Sequence, residues 1–113
     1  RSYLLAVYGP SRIIVGYCSV WKVDDTLQVN SIAVVGAYQG RGVGGALLDE
    51  VVTLGRRLRV VSVSLEVRSS NDAARGLYRR YHFKETGRRS AYYRQPTEDA
   101  VILTKRLESH RGV

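Results

Sequence analysis

Around residues 39–45 the hydrophobic pattern changes period, and that change limits the chain to a mixed α/β architecture. Before it, Tyr3–Tyr8 (YLLAVY), Arg12–Lys22 and Leu27–Val35 are short runs rich in Ile, Val, Tyr and Trp. They are separated by the turn residues Gly9-Pro10-Ser11 and Asp24-Asp25, and so read as an antiparallel meander. After it, Val43, Leu47, Leu48, Val51, Leu54 and Leu58 recur at helical spacing over 42–58. Val60–Arg68 then returns to period two, with Val61, Val63, Leu65 and Val67 on one face and Ser62, Ser64, Glu66 and Arg68 on the other. Asn71 is placed to cap a short second helix carrying Ala73, Ala74, Leu77, Tyr78 and Tyr81. Phe83–Tyr93 and Asp99–Leu107 read as two closing strands. Strand, long helix, strand in the middle predicts a parallel crossover within a mixed, mostly antiparallel sheet flanked by helices.

At 113 residues the chain has room for one domain, 1–113, and not for two. No apolar run approaches the ~18 residues a membrane span needs, and no signal-peptide architecture precedes the first strand. The cytosol is therefore the expected compartment. Cys18, the only cysteine, excludes an internal disulfide and a cysteine metal cage; in mid-strand it reads as a small buried hydrophobe. No metal site is expected. His82 follows a helix end and His110 lies in the tail, both read as structural or solvated, and Trp21 reads as a packing or edge residue. Lys and Arg number 18 against 10 Asp and Glu, a net charge of +8. That excess fits a phosphorylated ligand or nucleic acid, and equally a solvated basic surface, because the arginine pairs are scattered.

The loop Gln39-Gly40-Arg41-Gly42-Val43-Gly44-Gly45 carries the chemistry. Its glycines let backbone N–H groups approach a ligand, and the following helix offers unpaired N–H groups and a positive dipole end. An anion, foremost a pyrophosphate, is expected there; on the glycines alone a plain flexible turn is the alternative. The dinucleotide-binding G-x-G-x-x-G spacing is absent, as is the Lys-Ser/Thr of a P-loop.

The surroundings of the loop narrow the choice. Ile32-Ala33-Val34 followed by Tyr38-Gln39-Gly40-Arg41-Gly42-Val43-Gly44 resembles the acetyl-CoA signature Gln/Arg-x-x-Gly-x-Gly/Ala of the GNAT superfamily. Leu65-Glu66-Val67-Arg68-Ser69-Ser70-Asn71, Leu77-Tyr78, Phe83, and Tyr92-Tyr93 with Glu98-Asp99-Ala100 make the chain similar to RimI-type ribosomal-protein alanine N-acetyltransferases. They also resemble archaeal and eukaryotic N-terminal acetyltransferases. The resemblance covers about residues 3–107 and implies the GNAT acyl-CoA transferase fold, with acetyl-CoA as co-substrate. Val35-Gly36 replaces the family's usual Asp-Pro, and Tyr81-His82-Phe83 replaces Leu-Gly-Phe, so the second helix lacks its glycine cap. The loop between Tyr93 and Glu98 is slightly short for the family. The family also opens with a strand and two helices ahead of a strand like Tyr3–Tyr8. Since the sequence has no Met, the expectation is a chain truncated at its N-terminal side.

The resemblance assigns roles. The backbone of Ile32, Ala33 and Val34 would pair with the pantetheine arm, and an N–H near Val34 would serve the oxyanion. Gln39, Gly40, Arg41, Gly42, Val43, Gly44 and Gly45 would hold the pyrophosphate. Asn71 would contact the cofactor or cap its own helix. Glu66 would be the general base and Tyr78, whose position is equally a core position, the general acid for the leaving thiolate. Tyr92 and Tyr93 would cover the acceptor. The implied activity is acetylation of a protein N-terminal α-amine, ribosomal protein foremost, by direct attack in a ternary complex. Two alternatives stay open: a Lys side chain or small amine as acceptor, and a non-catalytic basic module on RNA or the ribosome.

Overall fold

The computed structural model describes residues 1–107; His110 lies outside them. Strands β1 (Ser2–Tyr8), β2 (Ile14–Val23) and β3 (Thr26–Val34) form the meander, followed by helix α1 (Val43–Arg57) and strand β4 (Ser62–Arg68). Helix α2 (Asp72–Arg80) and the hairpin β5 (Lys84–Tyr93) and β6 (Glu98–Arg106) complete the chain. The six strands form one sheet in the order β1-β2-β3-β4-β6-β5, in which only β3 and β4 run parallel. The mixed sheet and the crossover expected from the change of period are both present.

α1 packs across β1 to β4. Leu47, Leu48 and Val51 are buried there against Cys18, Val20, Leu27 and Val63. Gly16 of β2 permits the close approach of this helix, because a Cβ there would lie 2.7 Å from Val43 Cγ1. The opposite face of the sheet is open among the described residues. Trp21 lies on that face at 53% exposure, on the second strand in from the edge, so it is neither core nor edge. Val61 likewise departs from the expected alternation. It precedes β4 and is exposed, its backbone being used instead by Asp25 and Leu107.

Both helices end in the same way. Arg59 and His82 take left-handed backbone, with φ of 60° and 70°. Val60 N–H donates to the Gly55 carbonyl and Phe83 N–H to that of Tyr78, which closes a Schellman motif at each end. The missing glycine cap of α2 is thus a change of residue and not of geometry.

Two irregularities shape the interior. Ser19 pairs with Ser31 and Val20 with Val29, so Asn30 is an extra residue, a β-bulge in β3. The bulge reverses the alternation: Leu27 and Val29 face the core before it, Ile32 and Val34 after it. β3 and β4 pair only over Thr26–Gln28 and Ser62–Ser64. Beyond that point they separate, and a wedge opens in the middle of the sheet.

Candidate active site

The wedge leaves backbone groups without a strand partner. Val35 N–H bonds the Val15 carbonyl at 2.8 Å, and antiparallel alternation then makes Ala33 and Ser31 the residues bonded to β2. Ile32 and Val34 therefore turn their N–H groups toward the wedge. Their side chains line a cleft of ≈ 520 Å³ together with Gln39, Gly40, Gly42, Gly44, Gly45, Asn71 and Tyr78. Gln39 Nε2 donates to the Val34 carbonyl at 3.2 Å and ties the glycine loop to the end of β3.

The loop has the form its glycines predict. Gly40 and Gly42 adopt φ of 76° and 85°, where L side chains are strained. Gly42 caps α1 without any side-chain bond and no acid occupies the first turn, so the positive end of the helix dipole is not offset there by a side chain. Gly44 and Gly45 let α2 come close: added Cβ atoms would meet Leu77 Cδ2 and the Tyr81 hydroxyl. Three expected residues lie off the cleft. Ala33 projects to the open face, Val43 packs against the core, and Arg41 stacks over the Tyr38 ring at 5.5 Å.

α2 supplies the far wall. Asn71 caps it, Oδ1 accepting from Ala74 N–H at 3.1 Å, and lines the cleft as well. Ala73, Leu77 and Arg80 also line it. Arg80 brings a cation to the cleft that the sequence reading missed, although its i, i+4, i+7 relation to Ala73 and Leu77 was the available signal. Tyr78 is 5% exposed, its ring 5.9 Å from that of Phe83. Burial, then nearby Cys18 and Tyr93, pushes its phenol up to about 12, so it holds its proton more firmly than a free tyrosine. Burial alone pushes the Cys18 thiol up to about 11, leaving it protonated and a poor nucleophile.

Glu66 is on the other side of the sheet from Tyr78, because Val63, Leu65 and Val67 alternate with it and face the core. Its side chain is 16% exposed and forms an ion pair with Arg89, Oε2 lying 2.7 Å from Nε. Arg89 also lies over the Tyr92 ring at 5.1 Å. Tyr92 and Tyr93 meet edge to face at 5.2 Å. Burial first, then the negative charge of Glu66, raises the Tyr93 phenol. β5 is irregular twice: its register shifts between Glu85 and Gly87, which sets the face on which Arg89 lies, and Arg89 pairs with Ala100 and Tyr93 with Glu98, so three residues stand opposite Asp99 alone. Asp99 Oδ1 accepts from Ala91 N–H at 2.9 Å and pins that protrusion. The site therefore has two compartments. A cleft with the glycine loop and Tyr78 lies on one side of the wedge, and Glu66 with the two tyrosines lies on the other.

Over residues 1–83 the sequence matches the profile of the Acetyltransferase (GNAT) family. The chain belongs to that family. This GNAT chain is 40% identical over 96 residues to N-alpha-acetyltransferase RimI of Mycobacterium tuberculosis, covering 81% of itself and 59% of that protein. It is 40% identical over 85 residues to ribosomal protein bS18-alanine N-acetyltransferase of Escherichia coli K12, covering 72% of itself and 56% of that protein. The chain thus spans less than two thirds of the length of these relatives. The crystal structure of the ribosomal-protein-S18-alanine N-acetyltransferase from Escherichia coli superposes with a TM-score of 0.87 at 29% identity, covering 98% of this chain and 74% of that one. Among the described residues, no helix is long and apolar enough to cross a membrane.

Proposed function

We propose that this GNAT chain transfers an acetyl group from acetyl-CoA to the N-terminal α-amine of a protein, a ribosomal protein foremost, in the cytoplasm. The wedge between β3 and β4 carries this reading, since it joins an anion-ready glycine loop on one face to a carboxylate on the other. The activities named for the two relatives support the acceptor.

Acetyl-CoA supplies an activated acyl carbon and a thiolate leaving group. In the proposed arrangement the N–H groups of Ile32 and Val34 hold the pantetheine arm as a strand would, and one of them faces the developing oxyanion. Gly40, Gly42, Gly44 and Gly45 hold the pyrophosphate, with Arg80 adding positive charge at the cleft. Glu66 takes the proton from the attacking amine through water, the C–N bond forms, and the C–S bond breaks. Tyr78 first donates a hydrogen bond to the departing sulfur and then its proton, which leaves free CoA thiol. A phenol held near 12 suits that order, because it stays protonated until the sulfur has gained charge.

An α-amine has a reference pKa of ~7.7–8.0 against ~10.4 for lysine, so near neutrality much more of it is nucleophilic. The deciding experiment compares one Lys-containing peptide with free and blocked N-termini by mass spectrometry after incubation with acetyl-CoA. Acetylation of the free form alone is expected. Equal acetylation of both would transfer the assignment to lysine side chains.

A further inference from the structure

Arg68 and Glu98 take no part in the chemistry just described, yet they make a denser set of polar contacts than any other pair in the described residues. Arg68 Nη1 donates to the Pro96 carbonyl at 3.1 Å and to Glu98 Oε1 at 3.3 Å, and Nη2 donates to the Arg94 carbonyl at 3.1 Å. Its guanidinium lies 4.6 Å from the centroid of the Tyr93 ring. Glu98 Oε2 accepts from Ser70 N–H at 2.6 Å and from Ser69 Oγ at 3.1 Å, and its side chain is only 13% exposed.

We propose that Arg68 and Glu98 are positioning residues that clasp the β5–β6 hairpin tip against the β4–α2 loop and so hold Tyr92 and Tyr93 over Glu66 for the acceptor. The need for a clasp follows from the register. The ladder between β5 and β6, already shifted between Glu85 and Gly87, breaks off at Arg89 and Ala100, and only the pair Tyr93–Glu98 remains beyond it. The segment carrying the tyrosines has few backbone bonds to fix it. Arg68 replaces them with two carbonyl contacts on the loop and a stacked ring, a fork geometry that a lysine cannot reproduce. Glu98 carries the hold across to Ser70, whose neighbour Asn71 caps α2 and lines the cofactor cleft. One carboxylate thereby fixes the distance between the two compartments. Small displacements of a bound reactant are costly in rate, which gives the clasp its purpose.

This inference rests on the acetyltransferase reading, so its test has an arm that does not depend on turnover. In the full-length protein, Glu98→Gln and Arg68→Lys are compared with wild type by amide hydrogen exchange and by steady-state kinetics on a peptide with a free N-terminus. Exchange over residues 89–98 and at Ser70 is expected to quicken at least about tenfold while that of α1 is unchanged. The acceptor KM is expected to rise about tenfold or more, with acetyl-CoA affinity within about twofold of wild type. A purely structural role would instead lower the active fraction and leave the acceptor KM alone. Unchanged exchange overturns the clasp, and quickened exchange with an unchanged acceptor KM overturns its positioning role. A wild type that acetylates no α-amine sinks the proposed function, and the exchange comparison still decides the clasp.

Discussion

Glu66 and Tyr78 are separated by the thickness of the sheet, and their environments differ. Glu66 is partly exposed and ion-paired with Arg89, whereas Tyr78 is enclosed among apolar side chains. In the proposed mechanism they act as base and acid, functions that contribute ~10²–10⁴-fold each. Glu66→Gln is expected to lower turnover by that order while leaving acetyl-CoA affinity intact. Raising the pH from 7 to 9 restores part of the loss, because the α-amine then loses its proton without help. Tyr78→Phe is expected to cut turnover comparably with no such recovery, since the sulfur still lacks its donor. A pH–rate series on the two variants checks both, and matching recoveries would remove the division of roles. Strand alternation placed Glu66 on the polar face and the helical stripe made Tyr78 a core position, while the roles proposed for them came from the family resemblance. Arg89 was not legible in the sequence, because only the irregular pairing of β5 brings it to Glu66.

At the level of elements, the helix ends show strain that the protein tolerates. A left-handed conformation costs a non-glycine residue about 1–2 kcal/mol, and glycine's extra freedom in the unfolded chain returns about 0.5–1 kcal/mol of that. His82→Gly and Arg59→Gly are each expected to stabilise the fold by about 0.5–1 kcal/mol, a rise of a few degrees in Tm. Thermal melts of the two variants measure it, and a fall in Tm would mean those side chains contribute more than the backbone costs. The hairpin carries a pH dependence of its own. Hydrogen bonding to Ser70 foremost, helped by Arg68 and Ser69 and opposed by desolvation, holds the Glu98 carboxyl near 2 instead of 4.5. A depressed carboxylate stabilises the fold above its ordinary value, and that stabilisation disappears as pH falls through the folded value. The Tm difference between wild type and Glu98→Gln should be full above about pH 5 and close toward about pH 2. A difference independent of pH would assign the effect to packing.

For the whole molecule, the consequence to test is linkage between cofactor and fold. A ligand that binds only the folded chain at 100 times its Kd adds about 2.7 kcal/mol of stability. Thermal shift is therefore expected with acetyl-CoA and CoA and hardly with NAD or ATP. Gly44→Glu should abolish it, by placing bulk against Leu77 and negative charge at the start of α1. A retained shift in that variant would put the pyrophosphate elsewhere. The sequence alone determined the order of strands and helices, the glycine loop, the cap at Asn71, and the places of Glu66 on the polar face of β4 and of Tyr78 on the buried side of α2. Period, turn chemistry and capping are local properties, set by neighbours a few residues apart. Tertiary structure decided the wedge, the reversal of alternation at Asn30, the helix closures at Arg59 and His82, and the joining of Arg68 to Glu98 and of Glu66 to Arg89. Those features depend on which strand residue stands opposite which, and that register is fixed only when distant segments pack together.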